Sequence, residues 1–194
     1  MRLLTSVVLC FLLVPLGMTT PVQAEEVLKP TKAFSKFRKD MRRFSGPERE
    51  TEGRKAAETY LAAWKASGKS PTPTDKYVLA QFQQEAGQLE SALAGFHSVQ
   101  NDQEVKEKTR DYAANAEALI LLMPALREKL GKAGIDKALE GLCAYASALP
   151  LPARLSARSK LRSSIAMVYD MGGRAKDSQA MRMQLLKDDP GQLS

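Results

Sequence analysis

Beyond its first 24 residues, this chain repeats its apolar residues at intervals of three and four. No stretch of useful length alternates apolar and polar residues as a half-buried strand would. Ala, Leu, Lys, Glu, Gln and Arg dominate, and these residues lose least on entering a helix. The pattern confines the chain to an all-α architecture. With 44% hydrophobic and 26% charged residues, it has the composition of a globular domain rather than a disordered one.

The first 24 residues read differently. Arg2 gives a short positive start, and Leu3 to Leu16 form an apolar run broken only by Thr5, Ser6 and Pro15. Val22-Gln23-Ala24 then supplies the small-x-small pattern of a secretory cleavage site. We expect export to the periplasm or cell envelope, with cleavage near Ala24 removing Arg2 and Cys10. Leu9 stands where lipidation of Cys10 would want a small residue. Cys143 would then be the sole cysteine of residues 25–194, which predicts no internal disulfide and a small buried hydrophobe. No later apolar run approaches the roughly 20 residues needed to span a bilayer.

The breaks divide the remainder into seven or eight helices. Phe34, Phe37, Met41 and Phe44 share one helical face, and Ser45-Gly46-Pro47-Glu48 stops that helix. Ser45 with Glu48 has capping-box spacing, as does Thr72 with Asp75. A second helix reaches Ser67, and residues 68–74 form a Pro-containing linker. That linker suggests an N-terminal region over 25–70 and a main domain over 71–194. Gly87 separates two helices, and Asn101-Asp102 is expected to cap a long helix that Pro124 kinks or divides. Gly131 and Gly134 are expected to end that piece before a short helix over 135–148. Leu149-Pro150-Leu151-Pro152 is a second linker, and Gly172-Gly173 splits the last two helices. Short connections favour antiparallel hairpins.

Two segments carry a recurring set of small and turn residues. In residues 73–106 these are Leu79, Ala80, Gly87, Ala92 and Phe96; in residues 159–192 they are Ala166, Tyr169, Gly173, Ser178 and Pro190. Both segments resemble the tetratricopeptide repeat, a helical hairpin that packs through small residues. Gln83 stands where that repeat has an aromatic, the first segment has no closing Pro, and the intervening 50 or so residues keep no regular 34-residue period. The resemblance implies antiparallel helical hairpins stacked as an irregular solenoid; a generic helical bundle is the alternative. It also implies binding of a protein or peptide on an exposed concave face. Tyr77, Tyr112, Tyr145 and Tyr169 are the candidate partner-binding residues, because tyrosine suits interfaces.

Catalytic and metal signatures fail. Gly68-Lys69-Ser70 has Ala63 where a phosphate loop needs glycine, and Pro71 blocks the following helix. His97 is the only histidine, too few for a histidine metal cluster. Carboxylates such as Glu85, Glu90, Glu104, Glu107 and Asp111 sit among Lys, Arg and Gln, as on a solvated helix face. The expectation is a non-catalytic protein without cofactor or metal.

The formal charge of +7 concentrates early. Lys29, Lys32, Lys36, Arg38, Lys39, Arg42 and Arg43 face only Asp40. With Phe34 and Phe37 on the same helix, Lys39, Arg42 and Arg43 would suit an anionic membrane surface. The competing reading packs the phenylalanines into the domain. Nucleic acid is not expected as a partner of an exported chain. A third reading is a helical accessory region of an exported enzyme system.

Overall fold

The computed structural model describes residues 27–190. The expected leader and Cys10 lie outside them. The described residues form eight α-helices and one 3-10 turn, with no strand. The helices are α1 (Pro30–Asp40), α2 (Gly46–Ala66), α3 (Pro73–Glu85), α4 (Leu89–Asn101), α5 (Glu107–Ile120), α6 (Pro124–Ala148), α7 (Leu155–Met171) and α8 (Ala175–Asp188). The 3-10 turn, Met41–Arg43, follows α1 directly.

Local chemistry explains most boundaries. The Thr72 hydroxyl accepts from Asp75 N at 3.3 Å, and Asp75 Oδ2 accepts from Thr72 N at 3.2 Å, so the predicted capping box starts α3. Gly87 and Gly173 adopt φ of 74° and 68°, left-handed values that close the α3/α4 and α7/α8 turns. Pro124 divides the long segment as expected, by opening α6 at its first turn.

Three local expectations fail. Ser45 makes no capping bond, because Gly46 at φ 54° turns the chain between Ser45 and the first regular turn of α2. Asn101 ends α4 rather than capping the next helix. Asp102 Oδ1 instead accepts from Glu104 N at 3.0 Å, an Asx-type turn, and α5 begins only at Glu107. Gly131, at φ 61°, kinks α6, but Gly134 remains helical, so the break is one residue wide.

The helices pack in a regular order. α1 packs on α3, α3 on α5, and α5 on α7, so the odd-numbered helices form one continuous layer. α2, α4 and α6 each lie against the odd-numbered helix before and after them, and α8 covers α7. Among the described residues, even-numbered helices do not pack on one another to a comparable degree. The tightest pairs are α3/α4 and α7/α8, the two segments carrying the repeat-like residues. In α3/α4 a Cβ on Gly95 would lie 2.8 Å from Ala80 Cβ, so the helices touch almost backbone to backbone.

Two apolar clusters result. The larger is built around Phe96, Ile120, Leu126, Leu142 and Ile165, from α4 to α8 with Ala80 of α3. The smaller joins Phe37 and Met41 to Ala57 of α2 and to Val78 and Phe82 of α3. It crosses the 68–74 linker, so α1 and α2 share a core with the rest of the chain. Tyr77 touches both clusters.

Candidate partner-binding face

On α5, Tyr112, Ala116, Leu119 and Met123 just beyond its end recur at helical spacing. On α7, Ser156, Lys160, Ser163, Met167 and Met171 do the same. Two contacts align the helices. Ser164 Oγ donates to Asn115 Oδ1 at 2.9 Å, and a Cβ on Gly172 would lie 3.3 Å from Arg127 Nη2 in the first turn of α6. The C-terminal halves of α5 and α7 therefore run side by side in the same direction. A cavity of about 420 Å³ is lined by Ser156, Lys160 and Ser163 of the α7 stripe and by Asn115, which adjoins the α5 stripe.

This face is apolar at one end and polar at the other. Tyr112, Leu119, Met123, Met167 and Met171 are 37–54% exposed, five of the eight large apolar side chains exposed among the described residues. Scattered exposed apolar residues need no explanation, whereas a contiguous group marks a candidate interaction site. Methionine suits such a surface because its unbranched, polarizable chain adapts to varied shapes. Lys108 lies 5.9 Å from the Tyr112 ring, and Lys160 is exposed, so the polar end is basic.

The four candidate tyrosines separate into two groups. Tyr77 is half-buried against the Phe96 ring, 5.8 Å centroid to centroid. Burial raises its pKa, the neighbouring Tyr112 adds to that, and Arg38 opposes it. Arg38, Tyr77 and Tyr112 thus follow one another across α1, α3 and α5. Tyr145 and Tyr169 serve inside the fold. The Tyr145 hydroxyl donates to Asp111 Oδ1 at 2.9 Å, and burial followed by that bond pushes its pKa up to about 12. The Tyr169 hydroxyl lies 3.7 Å from Cys143 Sγ under the Arg174 guanidinium, and burial pushes it to about 12 as well. Residue type flagged the tyrosines alike; only the facing helices distinguish them. Leu119, Met123, Met167 and Met171 were missed, because an exposed methionine at helical spacing is indistinguishable in sequence from a buried one.

The membrane-surface candidates also separate. Phe37 is buried and Phe34 is half-buried, both with rings against Phe82. Lys39, Arg42 and Arg43 remain exposed. The apolar stripe of α1 is therefore committed to the smaller core.

One titratable pair stands out. His97 Nδ1 lies 3.2 Å from Glu117 Oε1, and Asn101 Nδ2 lies 3.2 Å from His97 Nε2. Nδ1–H donating and Nε2 accepting satisfies both bonds. Glu117 is only 2% exposed, and burial, opposed by His97, raises its carboxyl to about 7. A carboxylate holding a histidine is one part of a nucleophilic site, but Nε2 is taken by Asn101 rather than by a hydroxyl or thiol. Among the described residues, no group of three or more His, Cys, Asp or Glu could hold a metal ion. No described helix is long and apolar enough to cross a membrane. Comparison with family models, with curated proteins and with solved structures finds no match.

Proposed function

We propose that this chain is an exported, non-catalytic scaffold of four stacked helical hairpins in a tetratricopeptide-like arrangement, which binds a peptide segment of another protein. The alternation of odd and even helices supports the stacked reading, because each hairpin then buries one face on the next. The observation that carries the binding reading is the exposed Tyr112–Leu119–Met123–Met167–Met171 surface beside a basic, serine-rich end. Such a surface fits a segment with two or three apolar side chains and an acidic group reaching Lys108 or Lys160. Apolar burial would supply affinity and the charge would set direction.

The test is selection of peptides from a random display library on the purified chain. Selected peptides should be apolar with an acidic residue. The double substitution Leu119→Asp with Met167→Asp should weaken them at least about ten-fold while leaving the helical circular dichroism unchanged. Peptides indifferent to that substitution, or no selection above background, would overturn the reading.

A further inference from the structure

α1 packs more extensively on α3 than on its sequence neighbour α2. The two helices stay apart, and a groove of about 670 Å³ opens between them. This lies within the roughly 300–1,000 Å³ of small-molecule sites and exceeds two further cavities of about 420 and 390 Å³. Phe37, Met41 and Phe44 form one wall, Ala56, Tyr60 and Ala63 the other, and Phe82 of α3 lies below. Tyr60 and Phe82 stack with centroids 4.3 Å apart, which gives the groove a rigid aromatic floor.

The rim is charged. Lys36 and Arg43 border the groove from the α1 side and Lys55 from α2, with Asp40 and Glu52 as the acids. Among the described residues, none of the three cations is held in an ion pair. Lys32, Arg38, Lys39 and Arg42 add further positive charge along the same segment. An apolar trough edged by Lys36 and Lys55, and by Arg43 over the Phe44 ring at 4.9 Å, is complementary to an acyl chain that ends in an anion. We propose that this groove binds a single-chain anionic amphiphile, the chain against Phe44, Ala56, Tyr60 and Ala63, which keep accessible surface above the buried Phe37, Met41 and Phe82, and the carboxylate or phosphate head at Lys36, Arg43 and Lys55. It is a site separate from the α5/α7 face.

Trp64, the only tryptophan, gives a direct readout, because its ring lies 6.4 Å from Tyr60 in the groove wall. The full chain is titrated with oleate and with lysophosphatidylglycerol, both below their micellar concentrations, with oleyl alcohol, and with phosphatidylcholine/phosphatidylglycerol vesicles. A saturable one-to-one change in Trp64 fluorescence is expected for both anionic monomers and a much weaker one for the alcohol. Lys36→Glu with Lys55→Glu should weaken binding at least about ten-fold, and both positions are exposed, so folding is spared. Thr59→Phe, which fills the groove from an exposed lining position, should abolish binding. Equal affinity for the alcohol, insensitivity to these substitutions, or binding to anionic vesicles without binding to monomers would overturn the proposal; the last result would make α1 a membrane-surface element.

Discussion

Glu117 Oε1 on α5 and His97 Nδ1 on α4 lie 3.2 Å apart, with the carboxylate buried and the imidazole exposed. Burial raises Glu117 from 4.5 to about 7. The folded state therefore holds this proton more tightly than the unfolded chain. The resulting stability is fully present below about pH 4.5 and is lost as pH rises through about 7. A shift of this size corresponds to about 3 kcal/mol at most. Glu117→Gln should flatten the decline in urea stability between pH 5 and pH 8; an unchanged slope would show that another group is responsible.

Gly95 predicts a steric effect. Alanine normally improves a helix interior by about 1 kcal/mol over glycine. Here its Cβ would meet Ala80 Cβ at 2.8 Å, and although Gln83 Oε1 at 3.3 Å can swing away, the Ala80 methyl cannot. Gly95→Ala should destabilise by about 1–2 kcal/mol in chemical denaturation. Ala80→Gly in the same chain should restore part of the loss.

The Thr72 box predicts a smaller effect. Thr72→Ala removes the hydroxyl that caps α3 and leaves Asp75 N without that acceptor. A loss of about 1 kcal/mol is expected by thermal or urea unfolding, and Thr72→Ser should retain most of the stability.

Asp111 ties three helices together. Its carboxylate accepts from Arg154 before α7 and from Tyr145 of α6. The Asp111 and Arg154 side chains are only 15% and 13% exposed. Asp111→Ala leaves a largely buried guanidinium without this partner and should cost about 3 kcal/mol. Tyr145→Phe removes one neutral-to-charged bond and should cost about 1–2 kcal/mol. Equal effects of the two would contradict a charge-centred network.

The α3/α4 hairpin shows how far the residues alone reach. Thr72 and Asp75 mark its start, Gly87 its turn, and Ala80 and Ala92 its inner face, all at positions read from spacing. The candidate site was less legible. Tyr112 and Tyr145 occur in similar helical patterns, yet one is open to solvent and the other is spent on Asp111, because α6 and the start of α7 converge on that carboxylate. Ser45 and Asn101 carried correct capping chemistry but lost it to the backbone, one to a left-handed glycine and the other to an earlier helix end.

The order of apolar residues by itself determined that this chain is helical and where most helices stop, since period and turn chemistry are local properties. Tertiary structure alone decided which apolar faces are covered. The α1 stripe finds Phe82 and becomes core, the α5 and α7 stripes find no neighbour and stay exposed, and Glu117 is buried beside His97 of α4. Periodicity specifies that a face is apolar; only the arrangement of neighbouring helices specifies whether water reaches it.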